Sequence, residues 1–361
     1  MRNYVSWLSW LSWLSWLSRL SWLRHRIFAI ALIAVALPPV IGATAPTAFA
    51  SAQSSGSRTW HVTVGVQTSN GAISGMVFTP GHIWVKQGDT VVWKAGSQEI
   101  HTVSFGVPPA DTDDEGAEGI TNPIANALEE LEEQFATPAG GHSFTGAGYY
   151  NSGVMTTVPA ASGFPGALRT YALKINASVG DYTFYCLVHG PMMSQLVTVI
   201  PTGQAYPFTQ EQYNQQAARQ RAAVFAQGWR AYAQTKSSLP RNTVYLGSRV
   251  DSGQADIMRF VRTNTTVKVN SWVTFANNSM SPHTVTIGSE AALPYGGLIE
   301  SGDLSNVRRG ENVSSGLFGA AFTGFGVPSS VKFRFTQPGV YHVFCIFHDY
   351  QGMVGTITVV R

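Results

Sequence analysis

Charge is scarce in this chain: Asp, Glu, Lys and Arg together make up 12% of its 361 residues, and cysteine occurs only twice. So little charge argues against long solvated helices, and nothing points to nucleic acid as a partner. Two cysteines allow one disulfide at most. The apolar run Ile27 to Leu37 is eleven residues long, where a membrane span needs about 20. What the chain does contain is 36 Gly, 18 Pro and 12% aromatic residues, which suits short strands joined by many turns. Its length leaves room for two domains of about 100 to 200 residues each. An all-β chain with two domains is the first expectation.

The N-terminus reads as a targeting segment. Arg19, Arg24, His25 and Arg26 precede the apolar run, Pro38 and Pro39 follow it, and Ala48-Phe49-Ala50 has the small-x-small form of a cleavage site. Ser-Trp-Leu recurs upstream as a low-complexity leader, with a period of three that fits neither helix nor strand. Residues 1–50 are therefore expected to be a signal peptide. The rest would be exported to the periplasm, the cell surface or the medium, touching membrane only through an uncleaved anchor. No Cys lies near the cleavage site, which argues against a bacterial lipoprotein. Those residues hold four arginines and no acid, so 19 basic and 20 acidic residues remain, a net charge of −1.

Internal repetition decides the architecture. A shift of 182 residues superposes Val62, Val64, Gly65, Met76, Phe78, Val91, Trp93 and His101 on Val244, Leu246, Gly247, Met258, Phe260, Val273, Phe275 and His283 without a gap. A shift of 159 then superposes Tyr182, Cys186 and His189 on Tyr341, Cys345 and His348. The halves read as duplicates over residues 58–200 and 240–361, with an insertion at 107–140 in the first. Between them, residues 201–239 read as a linker with one helix. Thr209 and Gln212 suggest its capping box, and Tyr213, Ala217, Phe225, Trp229 and Tyr232 an aromatic stripe packed at the domain junction.

The chemistry lies where the repeats agree. The first offers His101, then Cys186-Leu-Val-His189 with Met192 and Met193; the second offers His283, then Cys345-Ile-Phe-His348 and Met353. Two imidazoles, a thiolate and a weak axial thioether form the donor set of a blue copper site. The sulfur donors favour Cu(I) and the imidazoles serve both oxidation states, so an electron moves with little rearrangement. Counting back from the last strand selects Met193 as the axial residue, and Met192 remains an alternative. A Cys186–Cys345 disulfide and a zinc ion in each site are the competing readings. The first neglects the matched His and Met neighbours of each Cys. Zinc gains little from a thioether.

These segments resemble the plastocyanin/azurin (cupredoxin) family. Asp181-Tyr-Thr-Phe-Tyr-Cys186 and Gly339-Val-Tyr-His-Val-Phe-Cys345-Ile-Phe-His348, running on to Met353, look like its copper loop, and His101-Thr-Val and Pro282-His283-Thr-Val like its first ligand. The resemblance implies tandem Greek-key β-sandwiches, two type 1 copper ions per chain and one-electron transfer to redox partner proteins. Multicopper oxidases and copper nitrite reductases add further His-bound copper through His-x-His or His-Cys pairs, which this sequence lacks. A copper-dependent oxidoreductase with a concealed second site, and a copper storage or delivery protein, remain as alternatives. His61, His82, His142 and His342 are expected to be ordinary surface residues. Asp111, Asp113, Asp114, Glu115, Glu118, Glu129, Glu130, Glu132 and Glu133 put nine of the 20 acids within 23 positions. Asn122 and Pro123 look like the N-cap and first residue of a helix there, so the acids suggest a solvated helix or a docking face for a basic partner.

Overall fold

The computed structural model describes residues 56–109, 136–158 and 166–361. The first 55 residues, and residues 110–135 of the insertion with its nine acids, lie outside the described residues.

Alternation builds the strands. In β1 (Thr59–Gln67) every second side chain, Trp60, Val62 and Val64, turns inward. The first half continues with β2 (Ile73–Thr79), β3 (His82–Lys86), β4 (Thr90–Ala95), β5 (Ser104–Phe105), β6 (Ser143–Phe144), β7 (Tyr150–Asn151), β8 (Thr170–Ile175), β9 (Gly180–Cys186) and β10 (Gly190–Ile200). After helix α1 (Gln210–Ser237) come β11 (Thr243–Leu246), β12 (Ala255–Ile257), β13 (Phe260–Val261), β14 (Asn264–Lys268), β15 (Trp272–Asn277) and β16 (Thr286–Ile287). The chain ends with β17 (Glu300–Ser301), β18 (Val313–Ser315), β19 (Ser330–Arg334), β20 (Gly339–Phe344) and β21 (Val354–Val360).

These make two Greek-key β-sandwiches. The first packs a sheet ordered β12-β2-β1-β4-β8-β6 on one ordered β3-β10-β9-β5-β7; the second packs β13-β11-β15-β19 on β14-β21-β20-β16-β18-β17. Each encloses its own core, with Trp93, Phe144 and Phe184 in the first and Phe275, Phe333 and Phe335 in the second. Residues 55–361 form one compact unit.

The duplication seen in the sequence reappears as symmetry. β12 pairs antiparallel with β2, Ala255 opposite Gly75, Asp256 opposite Ser74 and Ile257 opposite Ile73. Ser74 and Asp256 are the same repeat position, so the pairing maps onto itself when the halves are exchanged. The flanking bonds obey the same rule: Met76 N–H donates to the Gln254 carbonyl at 2.9 Å, and its counterpart Met258 N–H donates to the Ala72 carbonyl at 3.0 Å. The seam is isologous, the arrangement of a two-fold dimer interface.

Helix α1 covers this seam. Thr209 and Gln212 form its capping box. Its buried face runs through Tyr213, Ala217, Val224, Gly228 and Ala231, and it shares an apolar cluster with Ile73, Val77, Ala255 and Ile257 from both halves. Of the expected stripe, Tyr213 and Ala217 lie on this face and Phe225 and Tyr232 flank the cluster, but Trp229 is 41% exposed. Close approach is the reason, because a Cβ on Gly228 would stand 2.6 Å from Ile73 Cγ2, so small residues must occupy the contact line.

Before the helix, the linker is pinned by a buried carboxylate. Asp89 accepts bonds from the backbone of Arg58 (2.8 Å) and Lys86 (2.9 Å), from Trp60 Nε1 (2.8 Å) and from the Tyr206 hydroxyl (2.8 Å). Asp89→Ala strips all these donors of their acceptor. It is expected to cost about 3 kcal/mol or more, read as a fall in the urea midpoint of unfolding at unchanged slope. A midpoint within experimental error of the parent would refute that role.

Candidate metal centres

Each sandwich brings its three strongest donors together. His101, Cys186 and His189 form one group, and His283, Cys345 and His348 another, with ligand atoms within 4.8 Å of one another in each. In the first, His189 Nδ1 lies 3.4 Å from Cys186 Sγ and 3.3 Å from His101 Nδ1. In the second, His348 Nδ1 lies 3.4 Å from Cys345 Sγ and 3.0 Å from His283 Nδ1, and Cys345 Sγ to His283 Nδ1 is 3.6 Å. Both cysteines are free thiols, not a disulfide.

Local structure sets these distances. β9 ends on Cys186, and β10 begins at once with an irregular register: Gly190 pairs with Cys186, but the next pair is Ser194 with Tyr185. The intervening residues bulge from the ladder and carry the two methionines. Met193 is fully buried in the core with Cys186, whereas Met192 is 43% exposed. Met353 is fully buried beside Cys345, and its carbonyl accepts the Cys345 N–H at 3.1 Å. The burial singles out Met193 and Met353 as the thioethers on the core side of each loop.

The shells behind the donors repeat as well. Thr102 N–H points to Cys186 Sγ and Thr284 N–H to Cys345 Sγ, both at 3.4 Å. The Thr102 and Thr284 hydroxyls in turn accept the N–H of Leu187 (2.9 Å) and Ile346 (3.1 Å), locking the first-ligand strand to the copper loop. Burial alone would push both thiols up. The imidazoles, His189 and His101 in one site and His348 and His283 in the other, outweigh it and hold each thiol well below its ordinary range. Soft, buried, readily deprotonated sulfur beside two imidazoles fits copper in both sites.

The sites differ in how their imidazoles are backed. His101 Nε2 lies 2.8 Å from Ser97 Oγ, while His283 Nε2 is buried without a partner. His189 is partly exposed, but His348 is only 3% exposed and its Nε2 faces Glu99 Oε1 of the first sandwich at 3.4 Å. Burial pushes Glu99 up and His348 pulls it down, and the balance leaves it at about 2. Gln351 Nε2 donates to the other Glu99 oxygen at 3.2 Å and its Oε1 accepts the Ser74 hydroxyl at 3.0 Å.

Both copper loops face the seam. A Cβ on Gly71 would stand 2.6 Å from the Gln351 carbonyl oxygen, and one on its twin Gly253 2.8 Å from Met192 Sδ; Gln351 and Met192 are themselves twins. Among the remaining histidines, His61, His142 and His342 are exposed as expected, and half-buried His82 stacks on Trp84 with ring centres 3.6 Å apart.

Sequence reasoning missed Glu99, Ser97 and the role of Gly65. Only the glycine left a signal, being repeated inside a strand as Gly65 and Gly247. It sits at φ +66° in the bulge of β1 and leaves room for the first ligand.

Residues 247–360 match the family model of copper binding proteins, plastocyanin/azurin family. No curated protein is similar enough to count as a relative. Among solved structures, the oxidised plastocyanin of Dryopteris crassirhizoma is 20% identical over 33% of this chain and 99% of its own, with a TM-score of 0.21. A mutant amicyanin in its Cu(I) form is 16% identical over 35% and 89%, also at 0.21. The matched residues span most of the second sandwich, and the first repeats its His-Cys-His donor group.

At Gly65 a Cβ would stand 2.1 Å from His101 Nε2 and 2.5 Å from Ser97 Oγ. Gly65→Ala is therefore expected to displace His101 and lower copper binding by about half, the affinity of a site that loses one of its few strong donors falling steeply. Copper per chain, measured after dialysis against a weak chelator, checks it; full retention would mean that His101 is not a ligand.

Proposed function

We propose that the chain is an exported blue copper protein that holds one type 1 copper in each sandwich and carries single electrons between partner proteins. His101, Cys186, His189 and Met193 would hold the first ion, and His283, Cys345, His348 and Met353 the second. Copper so bound supplies a one-electron couple. The observation that carries the reading is the twofold occurrence of a preassembled His-Cys-His set with a buried methionine on the same loop. The protein's part is to keep both sulfurs deprotonated, to hold the imidazoles through Thr102 and Thr284, and to exclude water from the thiolates. Export rests on the N-terminal pattern of residues 1–50. Among the described residues, no helix is long and apolar enough to cross a membrane.

Metal analysis with electron paramagnetic resonance tests this. The expected result is two coppers per chain and two type 1 signals, with Cys186→Ser and Cys345→Ser each removing one. An additional type 2 signal, with turnover of nitrite or oxygen, would favour an oxidoreductase. Copper that does not cycle would favour storage or delivery.

The two centres should also differ in potential, because their loops differ in length and only one of their second imidazoles faces a carboxylate. A redox titration is expected to show two midpoints, and one shared midpoint would contradict this.

A redox partner with a basic face would suit the acids at 111–133, since clustered charge of one sign speeds encounter and loses its effect as salt rises. Changing Glu129, Glu130, Glu132 and Glu133 to Gln should then slow exchange with a cationic partner and flatten its salt dependence. An unchanged rate at low ionic strength would leave those acids without a docking role.

A further inference from the structure

The loop from Gly96 to Ile100 touches both candidate centres. At one end Ser97 Oγ holds the outer nitrogen of His101 at 2.8 Å. Two residues on, Glu99 Oε1 reaches across the seam to 3.4 Å from His348 Nε2. Glu99 is itself only one residue, Ile100, away from His101 in sequence. A ligand of the first centre and a ligand of the second are thereby joined by a short run of covalent bonds and one polar contact.

Nothing in the fold requires a carboxylate there. The twin of Glu99 is Ser281, in the same place of the same supersecondary unit, and that half folds without one. A carboxylate 6% exposed is costly to bury unless paired, and its two oxygens are fixed on the second copper loop by His348 and Gln351. The Tyr350 hydroxyl, donating to the Gln98 carbonyl at 3.3 Å, ties the same loop to the same stretch of chain.

Access differs in a complementary way. His189 is partly exposed, so the first centre has an imidazole edge at the surface. The matching edge of the second is covered by Glu99, with His348 buried at 3%. An electron that arrives at the first edge meets, behind the neighbouring imidazole of His101, a chain leading to the second.

We propose that Glu99 is the electronic link between the two centres, and that the second exchanges electrons chiefly through the first. The inference rests on both centres holding type 1 copper. One electron passes: the centre that gives it up is oxidised by one and the centre that receives it is reduced by one, and no bond forms or breaks in the link. Glu99 acts as a positioning residue, holding the His348 ring within contact of the chain that leads to His101.

The test uses the full, copper-loaded chain. Pulse radiolysis delivers less than one reducing equivalent per chain, and freeze-quenched electron paramagnetic resonance follows the two type 1 signals as the electron redistributes. The wild type is expected to show a phase whose rate does not depend on protein concentration. Glu99→Ala should slow that phase about tenfold or more, as breaking one link of a contact chain between coupled sites does. Glu99→Asp keeps the charge but withdraws it by a methylene; it should also slow the phase, and it decides the matter should the alanine variant fail to fold. Glu99→Gln keeps the contact without the charge. It should retain most of the rate while raising the midpoint of the second centre more than that of the first, because an anion behind His348 favours the more positive, oxidised state.

Wild-type rates in both Glu99→Ala and Glu99→Asp, with both type 1 signals intact, would overturn the link and leave the two-copper reading standing. Absence of a concentration-independent phase in the wild type, or an unmoved second midpoint in Glu99→Gln, would also count against it. Loss of the type 1 signals in the wild type itself would instead remove the reading on which the link rests.

Discussion

The antiparallel pairing of β2 with β12 is the contact on which the arrangement of the molecule depends. Three residues from each half meet in a register that maps onto itself, and hydrogen bonds from Met76 and Met258 extend it on both sides. Because each copper loop lies against the β1–β2 turn, or its equivalent, of the other half, this pairing brings both candidate centres to a single seam. Helix α1 follows from the same constraint: the paired strands leave an apolar surface drawn from both halves, and the helix covers it with its narrowest residues.

Within that symmetric frame the polar groups are not symmetric. Ser74 and Asp256 are twins, as are Glu99 and Ser281, so each half supplies one buried carboxylate to the seam, from different repeat positions. Burial lowers His189, while Cys186, then Glu99, then Asp256 raise it, and Asp256 Oδ2 accepts the Ser281 N–H at 3.1 Å. Glu99 contacts His348 directly. Arg259 adds a third departure, donating to the Gln351 carbonyl at 2.7 Å and to the Asn70 and Gly71 carbonyls, where its twin Val77 can do nothing similar. Two sites with the same donors therefore sit in different electrostatic surroundings, and such surroundings tune whatever metal the donors hold.

What the sequence disclosed and what it hid divide along physical lines. His101, Cys186, His189, His283, Cys345 and His348 were legible because their chemistry is rare and their order recurs, and the capping box of α1 was legible because Thr209 and Gln212 act locally. The choice between Met192 and Met193 needed burial, which a bulge of several residues makes hard to count from alternation. Trp229 was misplaced because the contact line of a helix is set by how closely its neighbour approaches. Glu99 was invisible in its role, since its partner lies far along the chain and nothing local marks a carboxylate that will end behind an imidazole.

A seam that maps onto itself has a consequence for either half taken alone. β2 would then present an unpaired edge, and such an edge is a template for another strand. The strand it is shaped to receive is the equivalent of itself, already in register, from a second copy of the same repeat. The geometry is that of a homodimer whose subunits have been written into one polypeptide. Joining them in one chain freed the two copies to differ, so that a residue such as Glu99 can exist on one side of the axis only.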